Sequence, residues 1–171
     1  MCSYKLKLNV AFSLIEVLIF ITILSLFFVV AVRVMIASLR VSKVNEHKIF
    51  AKHYADELYE WLSAEKELNW GGNNTDTTSF TYKASQLPYT FCFNTSPIAG
   101  WVSSSTIDLN SCPFTLNIMY RRYVTLTPLT VSETDAYIDK VNVSIIVEWT
   151  ESGTVYRVPI NSVFSIWEKT Y

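Results

Sequence analysis

The chain has 171 residues, half of them apolar and 17% charged, with a net charge of −1. That excludes a disordered chain, leaves room for one ordinary domain and offers no global basic field to nucleic acid. Four glycines and five prolines exclude low-complexity linkers, and two histidines and three cysteines leave little material for a transition-metal site.

Residues 1–9, MCSYKLKLN, carry Lys5 and Lys7 and no acid, the composition of the basic head of a signal sequence. From 10 to 32 the only charge is Glu16. Residues 12–32 as a helix would be about 31 Å long, the depth of a bilayer core. A buried core helix would not be apolar all round over this length in so small a chain, so membrane insertion is expected. No small-residue cleavage site follows Val32, where RVMIASLRVSKVNEHK runs on. Lys5 and Lys7 flank one side, and Arg33, Arg40 and Lys43 the other, so charge alone does not set the orientation.

The helical pattern continues. Val34, Ala37, Val41, Val44, Ala51, Ala55, Leu58 and Leu62 form one apolar stripe, with Lys48 intruding. No Pro or Gly interrupts residues 12–68, so one helix of about 55 residues, about 80 Å, is predicted before Gly71 and Gly72. Residues 73–79 read as a polar loop. Alternation then predicts strands at Phe80 and Tyr82, at Tyr89, Phe91 and Phe93, over 118–127, and at Val141, Val143, Ile145, Val147 and Trp149. A turn at Glu151, Ser152 and Gly153 leads into 154–158, and 163–167 extends or bends that strand after Pro159. The predicted fold class is α+β: a long N-terminal helix, membrane half plus amphipathic half, packed on an antiparallel β-meander.

Cys2 lies in the basic head, and Cys92 and Cys112 in the C-terminal half. If the head is cytoplasmic and removed, one even pair remains. A disulfide would close a loop of 21 residues and stabilise by roughly 3 kcal/mol. The alternative is two buried free thiols, and an extracytoplasmic setting favours the disulfide.

Residues 11–16, Ala-Phe-Ser-Leu-Ile-Glu, lead directly into the apolar run. In this the chain resembles the type IV pilin and pseudopilin superfamily. The resemblance implies a leader over residues 1–11 and cleavage between Ala11 and Phe12 by a prepilin peptidase. It further implies N-methylation of Phe12, a transmembrane and assembly helix over 12–32, an amphipathic half over 33–70 and a β-rich head over 71–171, often with a disulfide. Glu16 would be the fifth residue of the mature chain, its carboxylate pairing with the free α-amine of a neighbouring subunit. A carboxylate at mid-bilayer costs about 2.5 kcal/mol or more, so a partner is expected. Ala11 stands where most members have Gly, and Ser25 and Arg33 stand where major fibre subunits carry Gly and Pro. Without Pro the helix stays straighter. These departures point to a minor pilin or pseudopilin. The implied setting is the inner membrane, single-pass, with the head outside, then a filament or pseudopilus. The implied partners are other pilins or pseudopilins, prepilin peptidase, the inner-membrane assembly platform and membrane lipid. A type II secretion or DNA-uptake machine is the alternative assembly.

Other function classes fare worse. His47 and His53 lie on different helix faces, and no HExxH, nucleophile elbow, phosphate loop or CxxC is present, so no catalytic residue and no cofactor is expected. His53 and Glu57 read as a surface ion pair. Glu133, Asp135 and Asp139 read as a solvated acidic loop before a calcium site. Tyr120-Arg121-Arg122-Tyr123 interleaves aromatics and cations, but a strand puts only one cation on each face. Exposed arginines are expected there, and nucleic acid is not favoured. A membrane-anchored binding module that is never cleaved remains the rival of another class.

Overall fold

The computed structural model describes residues 13–71, 77–85, 90–102, 105–106, 111–131 and 138–165. Helix α1 runs Leu14–Leu68, 55 residues without a break. The carbonyl of Ser13 opens it, accepting from the amides of Glu16 and Val17 at 3.0 and 3.3 Å. The chain divides into two compact units between Lys43 and Val44. In the first, every described residue is exposed.

From Val44 onward one face of α1 is buried, through Ala51, Ala55, Leu58 and Leu62. The apolar stripe therefore starts lower than the sequence suggests: Val34, Ala37 and Val41 are exposed. The reason is length. Residues 44–68 span about 37 Å as helix, and strands of 12–14 residues reach about 40–48 Å, so the sheet covers this much helix. Lys48 does not interrupt the buried line, because His47 takes its place and shares a 2.8 Å hydrogen bond with the Tyr120 hydroxyl.

Helix α2, Phe80–Ser85, stands where alternation predicts a strand. Phe80, Thr81 and Ala84 are buried, one helical face, and four alternating residues cannot separate the two periods. The Ser79 hydroxyl caps it by accepting from the Tyr82 amide at 3.2 Å.

The strands are β1 Thr90–Cys92, β2 Ser105–Thr106, β3 Tyr120–Val131, β4 Ile138–Glu151 and β5 Thr154–Ser165. They form one antiparallel sheet in the order β2-β1-β3-β4-β5. The meander covers β3 to β5. β1 joins it beside β3 and holds β2 on its outer side, so the order is not simply sequential. Strand β3 begins at Tyr120, later than position 118, because Asn117 and Ile118 adopt positive φ and close a tight turn on the Leu116–Tyr120 bridge. Ser152 and Gly153, both with positive φ, make the two-residue hairpin whose twist suits the strands. Pro159 lies within β5, an edge strand, where a missing N–H is tolerated, and β5 is continuous across it.

Val141, Val143, Ile145, Val147 and Trp149 of β4 bury their side chains with α1 in one core. The alternation predicted for this strand is the one observed. An aromatic group of Trp61, Phe80, Phe91, Phe93 and Trp101 extends the core, with ring centroids 5.3–6.0 Å apart. Cys92 and Cys112 are disulfide-bonded, with Cα atoms 5.8 Å apart, so the free-thiol alternative does not hold.

Gly71, at φ 86°, lets residues 69–71 lie against 79–81, where Phe80 and Thr81 amides reach the Asn69 and Trp70 carbonyls at 2.9 and 3.0 Å. A Cβ at Gly71 would overlap the Ser79 side chain, whereas one at Gly153 meets nothing within 4 Å. Gly71→Ala should therefore cost roughly 3 kcal/mol, backbone strain plus overlap, and Gly153→Ala only about 1 kcal/mol. Chemical denaturation of the two variants in detergent, followed by near-UV circular dichroism, checks the difference.

Candidate functional site

Two regions of the chain hold the residues with functional chemistry. The first is the start of α1. Glu16 sits in its first turn, exposed, at the end where the helix dipole favours a carboxylate. Around and beyond it Leu14, Ile15, Leu18, Phe20, Ile23, Leu26 and Phe27 are all more than half exposed. The segment is long and apolar enough to cross a membrane, and none of its apolar window is buried. Its hydroxyls are already satisfied: Thr22 donates to the Ile19 carbonyl at 2.8 Å and Ser25 to that of Ile21 at 2.7 Å. Glu16 is thus the one side chain of residues 14–32 whose polar group needs something from outside the helix. Ala11 and Phe12, the cleavage and N-methylation positions, lie outside the described residues.

The second region is the polar centre of the head. Arg122 is fully buried on the inner face of β3, next to Val147 of β4. Its Nε donates to the Phe93 carbonyl at 2.8 Å and its Nη2 to that of Thr95 at 2.7 Å. Its Nη1 reaches both the Tyr54 carbonyl at 2.6 Å and the Glu57 carboxylate at 2.8 Å. One guanidinium therefore joins α1, β3 and residues 93–95. Burial pulls Arg122 below its usual value, and the hydrogen bond and charge of Glu57 oppose that. The expected exposed arginine is thus a buried one. The faces were legible, Tyr120 with Arg122 and Arg121 with Tyr123, but the acceptors come from residues up to 68 positions away.

Glu148 is likewise buried, at 2% exposure, on the outer face of β4. Strand register sets it between Arg121 of β3 and Arg157 of β5. Arg121 Nε donates to it at 2.7 Å, and the Tyr123 hydroxyl at 3.0 Å. Phe114 covers Arg121, ring centroid to guanidinium 4.6 Å, which keeps water from the pair. Tyr123 is pushed up to about 12, first by burial, then by the charge and hydrogen bond of Glu148. Tyr120 is also raised, by burial and then by Tyr54, Glu46 and Glu151.

The remaining candidates are not brought together. Glu57 binds Arg122 and the Ser96 hydroxyl, so the surface pair with His53 is replaced, and His53 lies beside the Tyr54 ring. Asp139 lies in β4, while Glu133 and Asp135 fall outside the described residues. Among the described residues no three His, Cys, Asp or Glu side chains converge as metal ligands. A cleft of about 670 Å³ beside the disulfide is lined by Asn94, Thr95, Trp101, Ser111 and Pro113 among others, with no acid or base among them. What the described residues provide is an exposed apolar helical segment with one carboxylate and, in the head, two buried charges with bonded partners. Compared with protein-family models, curated proteins and solved structures, the chain matches none.

Arg122→Met keeps the side chain's bulk and removes four hydrogen bonds, so it should cost roughly 3–5 kcal/mol, against about 1 kcal/mol for Glu57→Gln. Denaturant midpoints of the full chain in detergent compare the two. Tyr123 holds its proton more tightly folded than unfolded. Its contribution is complete below pH 10 and is lost as pH rises from 10 to about 12. Tyr123→Phe should flatten the fall in stability across that window, read from denaturation at stepped pH.

Proposed function

We propose that the chain is a minor pilin or pseudopilin, a structural subunit of a type IV pilus-like filament or of a related secretion or DNA-uptake pseudopilus. The observation that carries this reading is α1: an unbroken helix whose residues 14–32 are apolar and exposed with one carboxylate in the first turn, and whose later part buries one face in the core of a disulfide-bonded antiparallel sheet. Residues 11–16 before and within it fit the prepilin cleavage pattern.

In this reading the leader directs insertion with residues 1–11 inside, and a prepilin peptidase cuts between Ala11 and Phe12. The cut creates an α-amine four residues before Glu16. In lipid, an amine from one subunit and the Glu16 carboxylate of its neighbour neutralise each other, which removes the cost of each charge and fixes the axial register of the two helices. Repetition of that contact is heterologous and open-ended, which is how a filament grows. The head, held by Cys92–Cys112 and by Arg122, faces outward as a rigid decoration or cap. Energy for assembly comes from partner proteins of the assembly platform. N-methylation of Phe12 keeps the amine's charge and makes it more lipid-tolerant.

N-terminal sequencing and intact mass of the protein, made with and without a prepilin peptidase, test the reading. The expected result is a peptidase-dependent start at Phe12. Glu16→Ala should still insert and be cut but fail to enter a filament. A chain that keeps Met1 in the presence of an active peptidase would instead be an anchored binding module.

A further inference from the structure

Between Glu16 and Glu46 the chain carries no acid, and its only charges are Arg33, Arg40 and Lys43. All three lie on α1 within the first compact unit and are exposed. Spacings of seven and three residues put them on one helical stripe. Among the described residues none of the three enters a salt bridge. The residues between them are apolar apart from Ser38 and Ser42, and Val34, Met35, Ile36, Leu39 and Val41 are 57–66% exposed. Exposed apolar side chains mixed with charges of one sign, all positive, are the composition of a membrane interface.

Height decides what the cations reach. With residues 12–32 across the hydrocarbon core, Val32 lies at its edge, and a headgroup layer about 6 Å deep begins there. The Cα of Arg33 is about 1.5 Å past that of Val32, that of Arg40 about 12 Å and that of Lys43 about 16 Å. Helical side chains tilt toward the N-terminus, here toward the apolar segment, and a long cationic one reaches back by up to roughly 6 Å. Arg33 and Arg40 can thus place their guanidinium groups among the headgroups, and Lys43 stays within one Debye length of them, about 8 Å. A guanidinium matches phosphate oxygens two at a time. In a zwitterionic headgroup the ammonium beside the phosphate cancels most of the attraction, so the stripe discriminates by net lipid charge.

We propose that Arg33, Arg40 and Lys43 form a docking stripe for anionic phospholipid headgroups in the leaflet on the head side of the membrane. Cations beside a span ordinarily favour the cytoplasmic side. In the inserted orientation these three stand outside, opposed only by Lys5 and Lys7, and a cut after Ala11 removes both lysines. Anionic lipid offsets that imbalance and fixes the height of the cut subunit in the bilayer. The inference rests on the pilin reading for insertion and for the loss of Lys5 and Lys7, and it adds the class of lipid.

Lipid retention tests it. The full-length chain, with Lys5→Gln and Lys7→Gln to silence the leader, is reconstituted into bilayer discs of equal phosphatidylglycerol and phosphatidylcholine. Native mass spectrometry then reads which lipids stay on the protein. The expected ratio of anionic to zwitterionic lipid is about fivefold or more, falling as salt is raised. Arg33→Gln, Arg40→Gln and Lys43→Gln together should bring it within about twofold of unity. Arg33→Lys with Arg40→Lys should keep the preference, which separates lost charge from lost structure. Lys48→Gln with Lys52→Gln, farther along the same helix, should leave it unchanged. No anionic preference overturns the proposal and gives the stripe to carboxylates of another protein. A preference that survives the triple change, or an equal loss on changing Lys48 and Lys52, also overturns it. Processing is read separately, as the N-terminus of the unaltered chain made with a prepilin peptidase. A start at Phe12 without the lipid preference overturns this inference and leaves the pilin reading standing. The preference in a chain that keeps Met1 does the reverse.

Discussion

A guanidinium sealed from water needs acceptors for its N–H groups, and Arg122 finds them on three separate pieces of chain: Tyr54 and Glu57 of α1, and Phe93 and Thr95 beside β1. Leaving such a charge unpaired would cost several kcal/mol, so the pieces are held to the geometry that satisfies it. That fixes the rotation and height of α1 over the sheet. With α1 so placed, Ala51, Ala55, Leu58 and Leu62 face Val141, Val143, Ile145 and Val147, and Trp61 reaches Phe93 and Trp101. Small alanines at two of the four buried helix positions leave room for the bulky sheet face.

The outer face of the sheet repeats the device with opposite sign. Glu148 is the buried charge there, with Arg121, Tyr123 and Arg157 around it. The disulfide holds Cys112 to β1, and Phe114, two residues on, shelters Arg121. Each face of the sheet thus carries one buried charge, Arg122 of β3 inside and Glu148 of β4 outside, that ties neighbouring elements together beside the apolar area.

Helix α1 carries two kinds of surface on one backbone. A helix satisfies its own amides wherever it runs, so only its side chains need change between the two. Over 14–32 they are apolar on all sides, and past Val44 they divide into a buried face and a charged one. Between these, Arg33, Arg40 and Lys43 mark the passage from one to the other.

The sequence by itself determined what depends on local periodicity and chain stiffness. The extent of α1 follows from the lack of Pro and Gly up to Leu68, β4 from strict alternation, and the last hairpin from Ser152 and Gly153. Tertiary structure decided what depends on partners far along the chain. Phe80–Ser85 became a helix because its neighbours bury one helical face, and burial on α1 began only at Val44 because the strands end there. The burial of Arg122 and Glu148 was illegible for the same reason. A charged residue in a strand is ordinarily solvated, and only its acceptors, dozens of residues away, make burial affordable. Glu16 is the opposite case: among the described residues it stands exposed in an apolar segment, and the sequence alone singled it out as the one charge there.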